Sequence, residues 1–411
     1  MSKLDELIAE LCPDGVEYKT LGTICEIRSG WGFPNIEQGK TSGDYPFYKV
    51  GDMNSFGNEF VMTVANNYVD LETATRLRCK PAPKGTVIFP KIGAAIGTNK
   101  KRILAQEACY DNNIIGLIPS DAVISRYLFY QMEAVNLMRF ADYSGAMPSI
   151  RKTTLEKFRI PVPPLPVQQE IVRILDNFTE LTAELTAELT AELTARRKQY
   201  EYYRDLLLTF GDEVEWKTLG EIGKLIRGSG LLKSDFVEEG FPCIHYGQIH
   251  TYYGTSATET ISFVSVDKSK KLKKAKKGDV LIAGVSENVE DVCKPLAWLG
   301  GDICISGDMF AFRHNQNTKY ITYLLQTTDF SRYKEKFAHG AKVTRLRQDK
   351  LLAYKIPVPP LEEQERIVAI LDRFDALCND LTSGIPAEIE ARQKQYEYYR
   401  DKLLSFKEVT A

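Results

Sequence analysis

The side chains of this 411-residue chain whose types and spacing could do chemistry are cationic. The stretch KSKKLKKAKK places seven lysines between Lys268 and Lys277, with Lys273, Lys274, Lys276 and Lys277 in its second half, and KVTRLR adds Lys342, Arg345 and Arg347. Earlier in the chain stand Arg76 and Arg78 in RLRCKPAPK, then Lys91, then the run Asn99, Lys100, Lys101, Arg102; Arg28 and Arg227 sit in the matching stretches EIRSG and LIRGSG. An ammonium group reads phosphate charge and not base identity, whereas a guanidinium can bond a guanine edge bidentately. The lysines are therefore candidates for phosphate contacts and the arginines for base edges. The plainer reading of a lysine run is a solvated surface.

Other chemistry is poorly supplied. The eight cysteines never come closer than eleven residues apart, so there is no CxxC and no zinc spacing, and reduced thiols are expected. Four histidines are too sparse for a triad; His245 and His250, five apart, make the only approach to a metal pair. GAAIGTNK (Gly93 to Lys100) has three residues between its glycines where a phosphate loop has four, and no Lys directly after the second glycine. No nucleophile elbow, HExxH, dinucleotide fingerprint or NPPY-like tetrapeptide occurs. Neither catalytic nor metal-binding residues are expected. MSKLDELIAELCPDG lacks the basic and apolar regions of a leader, and no window approaches eighteen uninterrupted apolar residues, so the expectation is a soluble, cytoplasmic protein.

Charge is segregated although the total is only −2. Residues 16–159 hold 18 Lys and Arg against 14 Asp and Glu, residues 214–355 hold 22 against 16, and the remainder holds 13 against 25. Two basic segments on an acidic spacer suit two separated contacts with a polyanion.

The elements that must position these charges come in duplicate. FRIPVPPLPVQQEIVRILDNF (Phe158 to Phe178) matches YKIPVPPLEEQERIVAILDRF (Tyr354 to Phe374) at an offset of 196. ARRKQYEYYRDLLLTF (Ala195 to Phe210) matches ARQKQYEYYRDKLLSF (Ala391 to Phe406) at the same offset, with thirteen of sixteen positions identical. VEYKTLG answers VEWKTLG, KGTVIF answers KGDVLI, and YPFYKVGDM keeps only the pattern of FPCIHYGQI. Each half is thus a variable lobe followed by a near-identical segment. Identity persists where two copies do the same job and falls where they do different ones. The lobes read as mixed α and β, from β-rich runs such as TVIFPKIG and NNIIGLIP beside the helical period of YLFYQMEAVNLMRF.

The shared segments read as an extended IPVPP linker and then a helix starting near Pro166, where proline is tolerated in the first turn. Within it lies LTAELTAELTAELTA (Leu181 to Ala195), one four-residue word three times over. The apolar stripe includes Leu181, Leu185, Leu189 and Leu193, answered in the second copy by Leu377 and Leu381. Spacings of three and four at both ends fit a coiled-coil seam, and the extra fours between them act as stutters. A single helix from Leu165 to Phe210 spans about 68 Å. Ser383-Gly384-Ile385-Pro386 predicts a kink or break in the second copy. The repeat reads as a spacer, or as replication slippage tolerated on a solvated helix. The motif QYEYYRD supplies Tyr200, Tyr202, Tyr203 and Tyr396, Tyr398, Tyr399, a residue type enriched at interfaces and equally suited to packing within the coil.

The fold expected is α+β: two mixed α/β lobes separated by a long antiparallel coiled coil, with pseudo-twofold internal duplication. The divisions are 1–15 (N-terminal helix), 16–159 (first lobe), 160–213 (central helical spacer), 214–355 (second lobe) and 356–411 (C-terminal helical region). Two divergent lobes, each followed by I-P-V-P-P-L-x-x-Q-x-x-I-V-x-I-L-D, resemble the specificity subunit (HsdS) of type I restriction-modification enzymes. The TAEL tandem with the duplicated KQYEYYRD resembles the IC subfamily. That resemblance implies a non-catalytic DNA reader in which each lobe recognises one half of a split, asymmetric double-stranded site. It implies no cofactor in this chain. Two modification (HsdM) subunits would carry S-adenosylmethionine and methylate adenine, and restriction (HsdR) subunits would complete a nuclease that uses ATP and Mg. The alternatives are an architectural DNA-bridging protein without a catalytic partner, and a self-contained DNA-modifying enzyme.

Overall fold

The computed structural model describes residues 2–340, 343–379 and 384–409. Lys342 and Leu381 lie outside the described residues, as does Ser383 of the stretch expected to interrupt the second helical segment. The chain divides into two compact units, Met1–Leu185 with Ala391–Ala411, and Thr186–Glu390. The division falls inside a helix and not at its ends.

In both units the IPVPP linker has a second task. Tyr18–Thr20 pairs antiparallel with Arg159–Pro161, Lys19 opposite Ile160, and Trp216–Thr218 pairs with Lys355–Pro357, Lys217 opposite Ile356. The duplicated sequences VEYKTLG and IPVPP therefore close each lobe, bringing its first and last residues side by side.

Inside that closure the first lobe builds a five-stranded sheet from β1 (Cys25–Ser29), β2 (Val61–Met62), β3 (Val87–Pro90), β4 (Arg102–Leu104) and β5 (Ile114–Pro119), in the order β1-β5-β3-β4-β2. The second lobe repeats it with β6 (Gly223–Arg227), β7 (Ser256–Ala257), β8 (Val280–Ala283), β9 (Pro295–Trp298) and β10 (Met309–His314), in the order β6-β10-β8-β9-β7. In both, only the last pair is parallel. The matched sequences TVIF and DVLI are the central strands β3 and β8; every residue of both strands is buried, which is why they read as continuous apolar runs without alternation. A smaller sheet lies beside each. Phe47 pairs in parallel with Cys109 in the first lobe, and Cys243 with Cys304 in the second, where two further edge strands are added.

Helix α1 (Lys3–Leu11) starts in a capping box between Ser2 and Asp5. Helix α2 (Ser125–Glu133) docks on α3 (Leu165–Leu207), a single helix of 43 residues whose length is about 65 Å. Gln168, fully buried, accepts from the Ile124 amide at 2.9 Å and donates to the Pro163 and Ala122 carbonyls, while Asp176 receives both Arg126 and the Tyr130 hydroxyl. The second unit repeats this with α4 (Thr318–Leu324) and α5 (Leu361–Asn379): Gln364 accepts from the Asn317 amide at 3.0 Å, and Asp372 receives Lys319 and the Tyr323 hydroxyl. Helix α6 (Ile385–Leu403) has Pro386 in its first turn.

Within the first unit α3 and α6 run antiparallel, with Phe178 stacked on Tyr399 at 6.1 Å and Thr179 bonded to the Tyr396 hydroxyl. Leu4, Leu7 and Ile8 of α1 share one apolar cluster with Ile171, Leu175, Leu403, Leu404 and Phe406. Val16 pairs with Glu408, so the two ends of the chain are neighbours. Within the second unit Tyr203 stacks on Phe374 at 5.8 Å, the duplicate of the Phe178–Tyr399 contact.

The apolar stripe differs from expectation. Val167, Ile171 and Leu175 face the lobe, while Ile174 and Phe178 turn toward α6, so α3 has two apolar faces. Leu189 is buried and Leu185 and Leu193 half-buried, but Leu181 is 60% exposed and Leu377 40% exposed, both at the rim of a seam and not inside it. Thr190 and Thr194 bond the carbonyls four residues back, which is how the TAEL threonines are accommodated in a helix interior.

Candidate nucleic-acid interface

The cationic clusters are taken apart by the strands they border. Asn99 takes a left-handed conformation (φ 56°), and its side chain accepts from the Leu137 amide. Lys101 is 0% exposed; its ammonium donates to the Val135 carbonyl at 2.8 Å, and burial pulls its pKa down to about 8. Arg102 donates to the Lys101 and Met53 carbonyls. The run is thus largely engaged by the fold: Lys101 is buried, and Asn99 and Arg102 are half-buried with their side chains on main-chain groups. Only Lys100 keeps its ammonium at the surface, on the Asn54 side chain.

Arg28 is also taken up internally, by Glu26 at 2.7 Å and the Pro81 carbonyl at 3.0 Å. Lys91 is half-buried with its ammonium on the Ser29 hydroxyl, and burial lowers its pKa. These five, Arg28, Lys91, Asn99, Lys101 and Arg102, hold the fold, and the candidate interface is narrowed accordingly. Arg76 is exposed but paired with Glu37, while Arg78 is exposed in a left-handed conformation (φ 55°).

In the second lobe the lysine run is better presented. Lys273, Lys276 and Lys277 are exposed, whereas Lys274 lies 4.1 Å over the Phe241 ring. Arg227 donates to the Gly307 carbonyl, Arg345 stands 3.9 Å from Asp308, and Arg347 bonds Asp349. Among the described residues no group of three His, Cys, Asp or Glu side chains is disposed to hold a metal ion; His250 instead faces the Val285 carbonyl.

The tyrosine motif separates by position. Tyr200 is buried and Tyr396 half-buried, so they belong to the packing and not to an outer face. Tyr203 and Tyr399 lie at the edge, stacked on Phe374 and Phe178. Tyr202 and Tyr398 are 65% and 64% exposed and present the same motif outward from each copy.

Two further loops carry exposed aromatic side chains, Phe56 and Tyr252. Asn58, fully buried, donates to the Asp52 and Val64 carbonyls and accepts from the Thr63 and Val64 amides, fixing a loop whose tip is Phe56. In the second lobe Lys294 donates to the His250 carbonyl beside Tyr252. The offset of 196 that aligns YPFYKVGDM with FPCIHYGQI, carried three residues further, would have found both aromatics.

A duplicated α/β lobe with basic loops, each closed onto a repeated helix, matches one known description. The family model of the type I restriction modification DNA specificity domain matches residues 13–195 and again 211–391. The chain belongs to this family. It is 40% identical over 293 residues to the EcoR124I/EcoR124II specificity subunit of Escherichia coli, covering 68% of this chain and 70% of that one. It is 30% identical over 406 residues to a type I restriction enzyme specificity subunit assigned in Haemophilus influenzae, covering 95% and 96%. Its fold is similar to a chain from a solved type I R-M system, with TM-score 0.67 at 17% identity, over 95% of this chain and 98% of that one. As a DNA-specificity chain it recognises and does not catalyse, and its two matched segments are two specificity domains. Among the described residues no helix is long and apolar enough to cross a membrane.

Proposed function

We propose that this chain is the specificity subunit of a type I restriction-modification complex of the IC kind, each lobe reading one half of a split, asymmetric DNA site. The observation that carries the reading is the identical strand order of the two lobes with divergent residues in their loops, set against the helical stretches Ala195 to Phe210 and Ala391 to Phe406, which match at thirteen of sixteen positions. One scaffold built twice with different loops reads two different sequences; one helical motif, KQYEYYRD, built twice offers two equivalent docking surfaces to two copies of one partner. That partner is the HsdM methyltransferase, bringing S-adenosylmethionine, and HsdR joins it with ATP and Mg. Residues 16–159 and 214–355 are the reading lobes; 1–15, 160–213 and 356–411 form the helical frame. Such a complex works on chromosomal DNA in the cytoplasm.

On the DNA side the reading rests on Arg76, Arg78, Lys100, Arg227, Lys273, Lys276, Lys277, Arg345 and Arg347 among the described residues; on the partner side, on Tyr202 and Tyr398. Copurification from a host expressing the whole operon tests it. Two methyltransferase chains per specificity chain, together with methylated adenines in a bipartite motif by methylation-sensitive sequencing, are expected. A chain that copurifies alone and leaves no methylated motif would overturn it.

A further inference from the structure

YPFYKVGDM and FPCIHYGQI share little identity, yet an exposed feature recurs just after each. In the first, the smaller-sheet strand Tyr45–Tyr48 leads into a short helical turn in which Asp52 caps the Lys49 amide at 2.6 Å. In the second, the strand Phe241–Ile244 leads into a turn in which Gln248 caps the His245 amide at 2.8 Å. Asp52 and Gln248 are 196 residues apart, so the register of the duplication holds through these loops. Four residues after each cap stands an aromatic side chain, Phe56 at 94% exposure and Tyr252 at 62%.

Both loops are held rigid from beneath. Buried Asn58 pins the first through its four bonds to the backbone. In the second, the Gln248 side chain donates to the Ser262 hydroxyl at 2.6 Å, and the Tyr253 hydroxyl accepts from the Ile261 amide. A lysine also recurs. Lys100 places its ammonium on the Asn54 side chain, two residues before Phe56, and Lys294 places its ammonium on the His250 carbonyl at 3.3 Å, two residues before Tyr252. Strand register confirms the equivalence: Val61 pairs with Ile103 as Ser256 pairs with Ala297, three residues beyond each lysine.

A large aromatic ring left in water on a preorganised loop, in a lobe of net positive charge, has the chemistry of a wedge: on a duplex, whose base faces are covered by their neighbours, the ring stacks by entering a base step and partly unstacking it. Tyr202 and Tyr398, exposed in the repeated motif, are the surface proposed above for the common partner, and they lie on the helices and not on these loops. Resting on the DNA-reading function proposed for the chain, we infer that Phe56 and Tyr252 are residues that stack into a base step, one for each half-site, with Lys100 on the neighbouring phosphate of the first and Lys294, half-buried on the His250 carbonyl, holding the second loop.

The test uses the specificity chain in complex with its methyltransferase partner on duplexes carrying the mapped site. Replacing Phe56 with Ala is expected to weaken binding at least about 5-fold and at most about 150-fold, the upper end being the full loss of one stacked base with no cost of opening the step, with an unchanged salt dependence. Phe56→Trp should restore binding, and Lys100→Ala should reduce the log–log salt slope by about 1. Tyr252→Ala should behave as Phe56→Ala does, on the second half-site. A 2-aminopurine scan of the first half-site, outside the methylated adenine, should find one position whose fluorescence changes on binding the wild type and not the Phe56→Ala complex. Wild-type affinity and an unchanged scan for both alanine variants would overturn the inference, as would loss of the methyltransferase subunit in place of loss of DNA. If the wild-type complex itself did not prefer the mapped site to a scrambled duplex, the DNA-reading function would fall and not this assignment alone.

Discussion

Lys101 shows how burial reassigns a charge. Its ammonium is enclosed on the Val135 carbonyl, and desolvation holds the folded-state pKa at about 8 against an ordinary value of 10.5, with Glu133 offsetting part of that effect. Between those values the unfolded chain binds more protons than the folded one, so stability rises with pH from about 8 to about 10.5 and the gain is absent below. The full contribution is up to about 3 kcal/mol. Urea denaturation at pH about 7.5 and about 9.5, on either side of the folded-state pKa, should show Lys101→Met lacking the alkaline gain of the parent, while its methylation pattern stays unchanged. A loss of DNA affinity without that change in pH dependence would return Lys101 to the interface. Asn58→Ala, by contrast, removes a side chain that satisfies four backbone groups, leaving buried donors and acceptors that cost about 1–3 kcal/mol each. A thermal midpoint within a degree of the parent would contradict that account.

At the scale of elements, the repeated word in α3 makes a quantitative prediction. Removing Thr186 to Leu189 shortens the helix by about 6 Å and rotates the remainder of it by about 400°, a full turn and about 40° more, so the same face stays near the seam. Against a rise of about 3.4 Å per base pair, the distance between half-sites should fall by one base pair, or two at most, with the bases read at each end unchanged. Methylation maps for two, three and four repeats measure it, and a constant spacing would leave slippage as the explanation. How far such elements were legible depends on their range. The helix start near Pro166, the extended IPVPP linkers and the β-rich run TVIF rest on local pattern and stand where the sequence places them, whereas the pairing of those linkers with VEYKTLG and VEWKTLG joins residues far apart and is not legible there. The order β1-β5-β3-β4-β2 joins strands of two to six residues across long loops, and nothing local records such pairings. For the same reason the run at residues 99–102 read as a patch: which of its side chains turn inward depends on where β4 meets β2 and β3. Leu181 and Leu377 fell on the seam by period, but periodicity does not distinguish a seam from its rim.

At the scale of the whole molecule, the packing of α1 against Leu403 and Phe406 and the pairing of Val16 with Glu408 bring the chain ends together within one unit. A permutant joining Ala411 to Met1 through a short linker, and opened in the exposed stretch at Gly211–Asp212, should fold and bind both DNA and its methyltransferase; failure of several well-expressed permutants would contradict the closure. The linker pairs Lys19–Ile160 and Lys217–Ile356 likewise close each lobe on itself, so a lobe is expected to be exchangeable as a unit. The most direct test of the central claim exchanges residues 16–159 for the corresponding lobe of a relative with a different site and maps methylated adenines across the host genome. One half of the recognised motif should be replaced and the other kept base for base. A change in both halves, or in neither, would contradict the assignment of one reader to each lobe.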